Sequence, residues 1–260
     1  MNYLVKIFSK KNFVFLRKLL LHFCLKISGY KNFGNFFETG ENFVFKLIKI
    51  HKVKNCLDIG AHTGTFSKKL LAIKNIKVIA FEPMKQSYLE LKKVEAKNRK
   101  NFKCFNIALS NQKKISEIYY TNPQSQLASV NFNLNKINFL RKKKIKKQKI
   151  KTETLDSFEA KNKNLFLKKI DYIKIDTEGH DYKVLLGAKK FIKKHKPKFI
   201  QFEMNYHYLF SGENLYQFTV LLKNYNLFQI MPYNNGLLKI DASRPENNIF
   251  HLSNFIFIKK

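Results

Sequence analysis

Asn55-Cys56-Leu57-Asp58-Ile59-Gly60-Ala61-His62-Thr63-Gly64-Thr65 is the stretch on which the fold is decided. An apolar run ends on an acid, passes through a loop with two glycines and enters an amphipathic helical pattern at Phe66. The chain has only nine glycines, so two of them this close together mark a backbone that must turn sharply or be approached closely. A strand, a glycine loop and a helix start together form a cradle whose N–H groups face a nucleotide-like ligand. An ordinary strand-to-helix turn uses the same residue types, so the reading needs support from the rest of the chain.

The loop itself narrows the ligand. A dinucleotide fingerprint needs a second glycine to admit a pyrophosphate, and His62 stands there. No G-K-[ST] follows to hold a triphosphate. What remains is Asp58, Gly60, Ala61 and Gly64 around a strand end. A carboxylate in that place suits the cationic amino-acid portion of S-adenosylmethionine, which needs no phosphate grip.

The scarce acids give an independent test. Only 18 Asp and Glu occur in 260 residues, yet Asp58, Glu82, Asp176, Glu178 and Glu203 all fall at or just past the ends of expected strands. Ligands of open α/β sheets bind outside the carboxyl ends of the strands. Acids converging there repel one another unless a cation or hydrogen-bond donors join them. Glu82 follows Asp58 by close to the spacing (about 20 residues) of an acid that binds ribose hydroxyls. The turn holding Asn106 and Ala108 is expected beside the adenine. Lys174 in an apolar strand calls for a carboxylate partner, with Asp176 and Glu178 on the same side. His180 and His207 are candidate bases for a hydroxyl.

Outward from this stretch, apolar runs and helical patterns alternate. Strands are expected at 55–59, 78–81, 102–107, 171–175 and 199–202, with helices between, one of them built on Val184, Leu185, Ala188, Phe191 and Ile192. This argues for a parallel sheet with helices on both faces. Residues 227–231 and 250–258 read as an antiparallel pair at one edge, and 115–120 and 145–155 as strands outside the main alternation. The lysine-rich run 141–151 reads as a solvated face.

The net charge of +32 invites a nucleic-acid or anionic-membrane reading. Only four of the 50 basic residues are arginine, however, and Lys, Asn, Ile and Phe abound while Trp is absent. Drift toward A/T-rich codons gives that pattern without selection for binding, and the shortage of Arg counts against nucleic acid. Three cysteines without C-x-x-C spacing suit small core residues in a reducing compartment. The first thirty residues have no apolar run long enough to span a bilayer. Two readings stay open for them: a helix packed on the domain, or peripheral contact with an anionic membrane.

With these residues in hand, the chain resembles the FkbM family of S-adenosylmethionine-dependent methyltransferases. The resemblance rests on L-D-I-G-A-H-T-G-T-F-S (57–67), F-E-P (81–83), N-I-A-L-S (106–110), T-L-D-S-F (154–158), D-Y-I-K-I-D-T-E-G-H-D (171–181) and L-L-G-A (185–188). It implies a class I, Rossmann-like, mostly parallel seven-stranded sheet with an antiparallel edge hairpin, over residues 51–260 behind an N-terminal helical extension (1–50). It implies S-adenosylmethionine bound by Asp58, Gly60, Ala61, His62, Gly64 and Glu82, with Asn106, Ala108 and Asp176 nearby. Methyl transfer to a hydroxyl of a sugar, polysaccharide precursor or secondary metabolite follows, with Asp176, Glu178, His180, Glu203 or His207 taking the proton. A bacterial, cytoplasmic protein is expected, free or at the inner face of the membrane. Three rivals stay open: a metal-assisted enzyme using Asp176 and Glu178, a non-catalytic donor-binding module of a glycan-assembly complex, and an RNA methyltransferase. The oligomeric state is not legible.

Overall fold

The computed structural model describes residues 2–121, 130 and 144–260. Two helices, α1 (Asn2–Phe8) and α2 (Val14–Ile27), precede α3 (Glu41–Ile50), which puts Val44, Phe45 and Ile48 against the body. Then come β1 (Asn55–Ile59), α4 (Thr65–Leu71), β2 (Lys77–Phe81), α5 (Lys85–Lys97) and β3 (Phe102–Phe105). The alternation breaks at β4 (Ala108–Leu109), β5 (Lys114–Tyr120) and β6 (Lys146–Glu153). It resumes with α6 (Leu155–Lys161), β7 (Tyr172–Ile175), α7 (Asp181–Leu186), α8 (Lys189–His195) and β8 (Phe199–Met204). Short helices α9 (Tyr208–Ser211) and α10 (Leu215–Leu221) lead to β9 (Tyr225–Ile230), β10 (Leu237–Lys239) and β11 (Ser253–Lys259).

The main sheet runs β10-β9-β11-β8-β7-β1-β2-β3. Its β8-to-β3 half is parallel, and β11 enters antiparallel between β8 and β9. The sheet therefore has eight strands where seven were expected. The extra one, β10, has three residues, two of them exposed, and such a short strand carries no legible alternation. Strands β4, β6 and β5 form a separate small sheet. Residues 141–143 of the expected lysine face lie outside the described residues.

Strand alternation sends the two sides of the sheet into two cores. Leu57, Ile59, Ile173, Ile175, Ile200 and Phe202 meet α6, α7, α8 and α10. Cys56, Val78, Ala80, Tyr172 and Phe199 meet α3, α4 and α5. The apolar stripe from Val184 to Ile192 is buried as expected, but it belongs to two helices rather than one. The break falls at Gly187, where a Cβ would stand 1.9 Å from the Ser110 carbonyl oxygen.

Candidate donor site

The register of the parallel strands builds a polar row inside the second core. Asp58 on β1 pairs with Lys174 on β7, and Lys174 with Gln201 on β8. All three face the α3–α4 side because they alternate with Leu57, Ile173 and Ile200. Ser67 on α4 donates to Asp58 Oδ2 at 2.6 Å. The other oxygen of Asp58, Oδ1, is buried and has no hydrogen-bond partner among the described residues. Above it, Gly60, His62 and Gly64 all hold positive φ, of 82°, 49° and 81°. A Cβ on Gly60 would lie 1.9 Å from the Asp176 carbonyl oxygen, so the loops after β1 and β7 touch. His62 is thus a β-carbon-bearing residue held in a conformation that favours glycine.

Glu82 closes the loop from the β2 side. Its carboxylate accepts from His62 N at 2.8 Å and from Met84 N at 2.7 Å. Each oxygen keeps a lone pair for a further donor. Asn106 is exposed and works on the backbone: Nδ2 donates to Glu82 O at 2.8 Å and Pro83 O at 3.0 Å. It holds the Glu82 turn, while Ile107 and Ala108 form the wall of the cleft.

That cleft has a volume of ≈ 490 Å³ and is lined by Asp58, Gly60, Ala61, His62, Glu82, Ala108, Asp176, Glu178, His180 and Glu203, among others. Glu41 at the start of α3 also lines it, accepting from Gln201 Nε2 at 2.8 Å. Sequence reasoning missed Glu41 because it precedes the strand alternation. The cleft therefore faces six carboxylates, and Lys174 is the only lysine or arginine among the described residues lining it. Lys174 Nζ donates to Asp176 Oδ2 at 2.7 Å and lies 4.9 Å from the centre of the Phe66 ring. Burial alone would lower its pKa, but Asp176, Glu41 and Asp58 outweigh burial and hold it protonated, well above the ordinary lysine range.

At the β7 and β8 end of the cleft, Glu178 and Glu203 are bridged by Asn205 Nδ2, at 3.0 and 2.9 Å. Burial and neighbouring carboxylates push both well above the usual range. Oxygens of Asp176, Glu178 and Glu203 lie within 4.8 Å of one another, a spacing that suits a cation or a shared proton. Asp181, absent from the sequence-based set, accepts from Thr177 N, Thr177 Oγ1 and Glu203 N and anchors the β7 loop to β8. The histidines differ. His180 Nε2 is 2.9 Å from Ser110 Oγ, and burial lowers its pKa to about 3. Burial lowers that of His207 to about 4, and His207 does not line the cleft, although Nε2 is 3.5 Å from Glu178 Oε2.

These shifts carry a pH dependence. Burial pushes Glu82 up to about 7 and Asp181 up to about 6, while Asp58 is raised for the same reason. A carboxyl with a raised folded-state pKa contributes stability that is full below its unfolded value and is lost as pH rises through the folded value. For Glu82 that window runs from 4.5 to about 7. The donor-free protein is therefore expected to gain about 3 kcal/mol from this group across the window on acidification. Urea denaturation of the wild type and Glu82→Gln at both ends of the window reads the difference. Equal pH slopes would refute it.

A parallel sheet with a glycine loop and acids at the strand ends defines a nucleoside-binding α/β protein whose ligand carries positive charge. The methyltransferase FkbM domain matches residues 58–227, and the chain belongs to this family. It is an S-adenosylmethionine-dependent methyltransferase. The unpartnered Asp58 oxygen and the open lone pairs of Glu82 fit that cofactor. Curated proteins yield no match. Among solved structures, the chain is similar to the O-methyltransferase from Bacillus cereus in complex with SAH, at 9% identity over 99% of this chain and 96% of that one, with TM-score 0.45. It is similar also to the precorrin-6y C5,15-methyltransferase from Geobacter metallireducens, at 12% identity over 85% and 88%, with TM-score 0.39.

Proposed function

We propose that the protein transfers a methyl group to a hydroxyl oxygen of a sugar, a polysaccharide precursor or a secondary metabolite. One observation carries this reading: an acidic cleft suited to a cationic donor continues directly into a pair of carboxyls with high proton affinity, Glu178 and Glu203. The cofactor supplies an electrophilic methyl group on a sulfonium. Asp58 and Glu82 hold the donor from the glycine-loop side, and Gly60 lets the β1 and β7 loops close on it. The Glu178–Glu203 pair, held by Asn205, takes the hydroxyl proton. Burial and the neighbouring carboxylates raise the proton affinity of both, which is the direction a proton acceptor needs. His180 and His207 are moved the opposite way, and Asp176 is committed to Lys174.

Labelled S-adenosylmethionine offered with fractionated cell extract identifies the acceptor by the fraction that takes up label. Glu203→Gln is expected to lower transfer by about 100-fold or more while donor affinity is kept. Transfer at the wild-type rate would remove the pair from the mechanism. Donor binding without label in any glycan or metabolite fraction would favour the non-catalytic module, and label in RNA would favour the nucleic-acid reading.

A second reading has its own support, since the oxygens of Asp176, Glu178 and Glu203 stand at a spacing that accommodates a divalent ion. There the ion would lower the pKa of the acceptor hydroxyl. Activity that survives exhaustive chelation would exclude it.

A further inference from the structure

The fold leaves helices α1 and α2 largely bare. In α2, Phe15, Leu19, Phe23 and Ile27 recur every fourth residue, so they share one side of the helix. Their exposures run from 54% to 79%. The single buried residue of α2, Leu25, points the opposite way and joins the main core with Tyr30. The helix is thus docked by one side and presents an apolar stripe on the other. Leu20 widens that stripe, and α1 adds Tyr3, Leu4 and Val5 with no buried residue of its own. Arg17 joins the two helices by donating to Phe8 O and Ser9 O at 3.1 and 2.7 Å, and Phe8 meets Phe13 edge to face.

Charge decides what covers this surface. Lys6, Lys10, Lys11, Arg17, Lys18, Lys26 and Lys31 all belong to this N-terminal segment, and no Asp or Glu occurs before Glu38. A second copy of the chain would bring the same cations onto the same face and be repelled. RNA would satisfy the cations but leave the leucines and phenylalanines in water. No described helix is long and apolar enough to cross a membrane. An anionic lipid surface answers both features, taking the stripe into the acyl boundary and pairing the lysines with headgroups.

We infer that residues 2–31 dock the protein on an anionic lipid bilayer, with α1 and α2 lying in the interface. From this surface the chain turns at Gly29 and becomes the cleft wall at Asn32, Phe33 and Gly34. Docking thereby holds the cleft beside the lipid, which suits an acceptor carried on a lipid anchor. That corollary rests on the proposed transfer reaction; the docking does not.

Co-sedimentation of the full chain with phosphatidylcholine vesicles, with and without phosphatidylglycerol, tests the docking. Sedimentation is expected only with phosphatidylglycerol. The triple variant Leu19→Ser, Leu20→Ser, Phe23→Ser keeps every cation and alters only exposed side chains. It is expected to bind these vesicles about 100-fold more weakly, with donor affinity by calorimetry unchanged as proof of folding. No sedimentation with phosphatidylglycerol at low salt would overturn the inference. So would a triple variant that binds as well as the wild type, which would reduce the effect to the attraction of a +32 chain. Lipid-free self-association abolished by the triple substitution would assign the surface to a second copy instead.

Discussion

Asp58→Asn is expected to weaken the protein's grip on its methyl donor without costing it stability. The carboxylate is 1% exposed, and burial raises its pKa despite Lys174 and the Ser67 hydrogen bond. An ionised group held in this way is a burden on the donor-free fold, and asparagine keeps its shape without the charge. Stability by urea denaturation should therefore hold or rise. Binding should move the other way. A charge-assisted hydrogen bond from the buried oxygen to the donor contributes about 1.5–3 kcal/mol, so affinity should fall by roughly 10- to 150-fold. Calorimetric titration with S-adenosylmethionine measures it. Unchanged affinity in a folded variant would remove the glycine loop from the donor site. Parallel losses of stability and affinity would make Asp58 a structural residue.

The parts of this site that lie on regular alternation were legible in the sequence. Asp58 and Lys174 sit on strands whose neighbours are apolar, and Asp176 directly follows one, so period-two alternation gives their side and the scarcity of acids makes Asp58 and Asp176 conspicuous. The five parallel strands were legible for the same reason. Parts set by tertiary contact were not. Glu41 reaches the cleft because α3 packs Val44, Phe45 and Ile48 on the sheet, and nothing local distinguishes it from a surface acid. Asp181 reads as an ordinary helix-start residue, yet it is fully buried and binds the β7 loop to β8. Gly187 splits a continuous helical pattern because Ser110, distant in sequence, lies against it. Strand β10 escaped because three residues leave no period to count. The histidines mislead in the opposite sense. Residue type makes them natural bases, and burial, invisible in the sequence, moves their proton affinity the wrong way, with Lys183 and Lys114 adding to it at His180.

Lys174→Met should produce the largest stability change of any single substitution in the cleft, and donor should repair part of it. Lys174 is the only lysine or arginine among the described residues facing the six carboxylates of the cleft, and it is 7% exposed. Removing one partner of a buried ion pair leaves the other uncompensated, at a cost of about 3–5 kcal/mol. The cost should be greatest at neutral pH. Burial raises Asp58 and Glu41, and Lys174 opposes it; without the cation both take higher folded-state pKa values, so their destabilisation is full above those values and fades as falling pH protonates them. Urea denaturation of wild type and variant across mildly acidic to neutral pH should therefore converge toward acid. S-adenosylmethionine brings a positive charge into the same cluster, so saturating donor should raise the melting temperature of Lys174→Met by more than it raises that of the wild type. Glu41→Gln added to the variant should recover stability in the same direction, because it removes one of the unpaired acids. Equal donor-induced shifts in wild type and variant would mean that donor and lysine do not share an electrostatic site. The acids at the strand ends would then have to be explained by the fold alone.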